Sequence, residues 1–152
     1  MNTKMSLEEK LNDAEIHLPG VREKLKRNKG GAWGSYWDGA PQDLEYCETD
    51  EYRVVVAKWK EDSWSAEAGC HSGVGFKEWL SVYYRPKGSE REIKQLETEK
   101  ILTRDYYNPS YDKTHLRPYR FVGVQPLEPA RVKVAWVDET GNEGLTYELE
   151  LK

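Results

Sequence analysis

The residues best equipped for chemistry stand in one short run, Gly69-Cys70-His71-Ser72-Gly73-Val74-Gly75. Its three glycines open backbone geometries closed to other residues and can turn N–H groups toward an anion. In that setting a Cys70 thiolate would be the nucleophile and the amides its oxyanion site. His71 is badly placed as the base, because neighbouring side chains on an extended segment point apart. His115 or His17 would have to be brought in by the fold. The run lacks the Lys-Ser/Thr ending of a phosphate loop, and it precedes a strand instead of joining a strand to a helix as a dinucleotide fingerprint does. A turn or bulged loop is therefore the favoured reading, with Cys70, His71 and His115 kept as candidate catalytic residues.

A metal centre would draw on Cys47, Cys70, His71 and His115, since thiolates and imidazoles are the preferred zinc ligands. No Cys-x-x-Cys or His-x-x-x-His spacing is present, so neither a metal nor another cofactor is expected. Glycosidase-type chemistry needs two carboxylates facing a cleft, and Glu67, Glu78, Asp105 and Asp112 stand near aromatics. With 27 acidic residues in the chain, some fall beside aromatics by chance.

Recognition is better supported than catalysis. The chain has six Trp and ten Tyr against two Phe, a skew toward rings that carry a polar tip and suit half-wet surfaces. Residues 104–119 concentrate Arg104, Tyr106, Tyr107, Tyr111, His115 and Arg117 with Asn and Ser, the side chains that give recognition loops contact area and adaptable hydrogen bonds. Gly34-Ser35-Tyr36-Trp37-Asp38-Gly39, preceded by Trp33, offers a second aromatic surface. Trp33 and Trp37 are accordingly candidate ligand-binding residues. A tyrosine-rich covering loop packed on a sheet edge is the competing interpretation of 104–119.

These candidates need a scaffold. At 152 residues the chain has the length of one ordinary domain, 1–152, able to bury a core without disulfides. A net charge of −4 gives no global field to attract nucleic acid, which is not expected as a partner. The basic run Arg22, Lys24, Lys26, Arg27 and Lys29 reads as a solvated helix end. Residues 1–10 lack the apolar stretch of a secretory signal, and no run is long enough to cross a bilayer, so the expected location is the cytosol of a bacterium or virus, away from membrane.

Ser6 and Glu9 form a capping-box pattern ahead of Leu7, Leu11, Ala14 and Leu18 at helical spacing. A second short helix is expected over 19–28, completing a helical segment at 1–30. From 32 onward, Trp-, Tyr- and Val-rich segments separated by turn residues predict strands at 33–37, 43–48, 52–60, 64–68, 76–85, 119–125, 130–138 and 145–151. Glu61 and Asp62 are read as the turn joining 52–60 to 64–68. Ser89 with Glu92, followed by Ile93, Leu96 and Ile101, predicts one helix over 90–102.

The sequence-based fold is α+β, with N-terminal helices and one mid-chain helix packed on a largely antiparallel sheet or partly open β-barrel. The expected function is non-catalytic recognition of a protein partner or small polar ligand through a Tyr/Trp-rich cleft. Two other classes stay open, a small hydrolase or transferase using Cys70 or a carboxylate pair, and an assembly subunit that forms a homo-oligomer.

Overall fold

The computed structural model describes residues 5–27, 41–63, 75–99, 101–104, 119–138 and 144–152. Three layers stack, with two helices on one face of a central antiparallel sheet and a smaller sheet on the other. The helices are α1 (Leu7–His17) and α2 (Val21–Arg27). The central sheet runs β1 (Asp43–Glu48), β2 (Tyr52–Ser63), β3 (Gly75–Pro86), β4 (Lys94–Glu97), with β5 (Ile101–Arg104) also paired to β3. The outer sheet runs β6 (Tyr119–Leu127), β7 (Arg131–Asp138), β8 (Gly144–Glu150). Neither sheet closes into a barrel; α+β with antiparallel sheets is the architecture.

The Ser6 side chain accepts the Glu9 N–H at 3.2 Å, and its hydroxyl donates to the Glu9 carboxylate, so the capping pair starts α1 as its spacing predicts. Such a cap stabilises a helix by about 1 kcal/mol. α1 ends at a corner where Gly20 takes φ +98°, a value that other residues rarely tolerate. There the Glu15 carboxylate accepts the N–H groups of Gly20 at 2.7 Å and Arg22 at 3.0 Å, capping α2 from the preceding helix. Arg53 and Arg85 reach up from the sheet to the carbonyls of His17 and Pro19. Cations on these exposed carbonyls tie the helical layer to the strands.

The central sheet is buried on both faces, which explains why Val54, Val55 and Val56 run together without polar alternation. Val55, Ala57, Trp59, Trp79 and Tyr83 meet Ala14, Leu18, Val21 and Leu25 of the helices. Residues of opposite parity, Val54, Val56, Leu80, Val82 and Tyr84, meet Val132, Val134, Trp136 and Leu151 under the outer sheet. Trp59 therefore lies on the face opposite to Val54 and Val56, whereas Trp136 shares a face with Val132 and Val134, as the parity of their positions requires.

Two sequence-based expectations are corrected. The described residues of 90–102 contain no helix; β4 and the start of β5 lie in that stretch. Ile93 and Leu96 would share a face of a helix, but an odd and an even position oppose each other on extended chain, and each finds its own core, Ile93 under the helices and Leu96 under the outer sheet. Pairing of Leu96 with Val82 and Gln95 with Tyr83 outweighs local helix propensity. Ser89 accepts the Arg91 N–H instead of capping a helix. Glu61 and Asp62 are strand residues opposite Lys77 and Phe76, so β2 pairs with β3 and not through a turn at 61–62. The expected strands at 33–37 and 64–68 lie outside the described residues. Among those residues, no helix is long and apolar enough to cross a membrane.

Candidate functional site

Strand register fixes where the connections begin. Ser63 pairs with Gly75, Phe76 with Arg104, Tyr119 with Asp138 and Val137 with Gly144. β5 also touches β6, so these strand ends gather at one end of the stacked sheets. Asp43, opposite Lys58, starts β1 toward the same end. The opposite end is closed by short turns. Thr49 accepts the Tyr52 N–H through its hydroxyl at 3.1 Å, Asp50 N–H donates to the Glu128 carboxylate, and Leu151 N–H donates to the Ala130 carbonyl at 2.9 Å.

The connections 28–40, 64–74, 105–118 and 139–143 consequently all adjoin strands at the first end. Trp33, Trp37, Cys70, His71, Tyr106, Tyr107, Tyr111, His115 and Arg117 belong to them and lie outside the described residues, as do Glu67, Asp105 and Asp112. Arg104 is the last residue of β5, with its backbone opposite Phe76. Trp59, Trp79 and Trp136 are buried. The other three tryptophans, Trp33, Trp37 and Trp64, fall in these connections.

A second feature escapes sequence reasoning. Between α1 and β1 lies an open cleft of about 290 Å³ lined by Met5, Lys10, Asp13, Asp43, Leu44, Glu45 and Tyr46. The His17 ring stacks on Tyr46 with centroids 4.3 Å apart and planes 13° from parallel. His17 Nε2 stands 3.4 Å from Asp13 Oδ1, and Lys10 Nζ stands 2.6 Å from Asp43 Oδ1. The Tyr46 hydroxyl donates to Glu48 at 2.7 Å, and burial together with this bond raises the phenol above its ordinary range. Its proton is held, so Tyr46 offers a ring face and no phenolate. Burial also raises the Glu45 carboxyl, helped by neighbouring Asp43 and opposed by Lys10. The only local signal in the sequence is the spacing of Asp13 and His17, four residues apart; Tyr46 reads as an ordinary strand residue.

Cys47 points to the other face of β1, against the outer core. Burial first, then the charges of Glu45 and Glu48, push its thiol up to about 12 from the usual 9.0. The thiolate is the nucleophilic form, so this burial disfavours Cys47 as a nucleophile at neutral pH. Glu78 is buried and its Oε1 lies 3.2 Å from Lys58 Nζ, an ion pair within the sheet. Arg22 is bonded to Glu8 and Asn12, and Lys24 pairs with Glu92. These pairs neutralise part of the basic run. Among the described residues, no group of three His, Cys, Asp or Glu could hold a metal ion.

Cys47 and Tyr46 together predict an alkaline instability. Both hold their protons more tightly folded than unfolded, so their contribution is present below about pH 9 and is lost as pH rises toward 12. Melting midpoints should fall across that window, and Cys47→Ala should make the fall shallower. An unchanged slope in the variant would show that the thiol is not buried as described.

No protein-family model matches the chain, and no curated protein or solved structure matches it significantly.

Proposed function

We propose that the protein is a non-catalytic recognition module whose binding surface is formed by the connections at one end of the stacked sheets, with Trp33, Trp37, Arg104, Tyr106, Tyr107, Tyr111, His115 and Arg117 as contact residues. The observation that carries this reading is the partition of the tryptophans. Three are consumed by the two cores, and the other three occur only in connections adjoining that one end. Rigid strands that deliver several loops to one edge are a common way to build a binding site. Trp and Tyr there supply broad contact area with few rotatable bonds. A protein partner or a small polar ligand fits this chemistry, and the expected setting is the bacterial or viral cytosol.

The six indole N–H groups provide the test. A panel of oligosaccharides, nucleotides and short peptides, screened by NMR, should contain a ligand that shifts the Trp33 and Trp37 signals while leaving Trp59, Trp79 and Trp136 in place. Tyr107→Ala with Tyr111→Ala should remove that response and change stability by less than about 1 kcal/mol, as expected for surface positions. A loss of several kcal/mol would place the two tyrosines in a core and overturn the assignment. A ligand that shifts only the Tyr46 and His17 signals would move the site to the α1–β1 cleft.

A further inference from the structure

We propose that two copies of the chain associate through β8, pairing this strand antiparallel with itself to join two outer sheets into one continuous sheet. The inference is independent of the recognition surface.

β8 is the last strand of the outer sheet, and β7 is the described element that lies along it. It pairs with β7 over seven residues without a register shift and contains no proline, so neither a bulge nor a missing N–H interrupts this edge, and its charges are Glu148 and Glu150. Leu151 N–H donates to the Ala130 carbonyl, which continues the β7–β8 ladder. By strand alternation the odd-numbered N–H and C=O groups of β8 face β7, and those of Gly144, Thr146, Glu148 and Glu150 face outward.

The sequence of this edge is close to a chemical palindrome. Leu145-Thr146-Tyr147-Glu148-Leu149 reads alike from either end, apart from the exchange of Thr and Glu. Antiparallel pairing centred on Tyr147 sets Tyr147 against Tyr147 of the second copy, Leu145 against Leu149, Thr146 against Glu148 and Gly144 against Glu150. All seven residues find a partner and no glutamate faces a glutamate. Centring the pair one residue later would oppose Glu148 to itself, an unfavourable cross-strand arrangement. Arg131 Nη1 lies 3.0 Å from Glu148 Oε2, so the carboxylate nearest the centre already has a counter-charge within its own copy. Leu145, Tyr147 and Leu149 are only half-buried, and the same three residues of the second copy would extend the apolar face they form.

Sedimentation of the full chain from micromolar to millimolar concentration should show a reversible monomer–dimer equilibrium. Thr146→Lys places a cation opposite Glu148 twice in each dimer and should lower Kd roughly 2- to 30-fold, whereas Thr146→Glu should raise it by a similar factor. Melting of the dilute monomer should be nearly unchanged in both. A monomer at every concentration would overturn the proposal. So would a dimer whose Kd moves in the same direction, or not at all, in the two variants, because that dimer would use another surface.

Discussion

Replacing Trp136 or Trp59 with alanine is expected to lower stability by about 3–5 kcal/mol in each case, the range for truncating a fully buried aromatic. Both side chains have no exposed surface. Trp136 also meets Tyr147 edge-on, with centroids 6.0 Å apart and planes at 87°, a geometry that adds to simple area burial. The two rings occupy different cores, Trp59 beneath the helices and Trp136 beneath the outer sheet. Urea unfolding of the single variants measures the cost. Gentler truncations test the layering, because Val55→Ala and Val134→Ala also fall in separate cores. Their effects should add within about 0.5 kcal/mol, as for sites that share no partner. Coupling well beyond that would mean that the central sheet does not separate the cores, and a tryptophan loss below about 1 kcal/mol would contradict the burial.

The legible parts of the fold are those where one local rule acts without competition. α1 needs only Ser6, Glu9 and an apolar stripe, and β8 only the alternation of Leu145, Tyr147 and Leu149 with polar residues. The parity that separates Trp59 from Val54 and Val56 follows from counting positions along a single strand. Residues 90–102 mislead because Ile93, Leu96 and Ile101 satisfy helical spacing and sit among strong helix formers. What decides their state is the free side of β3, a tertiary partner that composition cannot reveal. The cleft beside Tyr46 is hidden for a related reason. Asp13 and His17 come from α1, Tyr46 belongs to β1 far along the chain, and only the packing of α1 on β1 brings the rings together. The aromatic segments of the proposed surface can be named from composition. Their common origin at one end follows only from strand register.

Lys58→Met is expected to cost about 2–4 kcal/mol, and the double variant with Glu78→Leu should recover most of that loss. Lys58 and Glu78 are diagonal neighbours on β2 and β3, and both face the outer sheet by parity. Their side chains are 21% and 9% exposed, so water screens the pair only partly. Removing the cation takes away the counter-charge described for the Glu78 carboxylate, and burial makes a charge deprived of its partner costly. Removing both charges replaces the pair with apolar side chains of similar volume, an exchange that is often neutral or stabilising. The partial exposure of Lys58 places the single-variant cost below that of a fully buried pair. Denaturant unfolding of the two single variants and the double variant closes the cycle. If the double variant proves as unstable as Lys58→Met, the loss comes from other contacts of the lysine and not from the charge left on Glu78. A wild-type-like single variant would show that Glu78 reaches water, and the polar pair would then belong to the surface of the sheet.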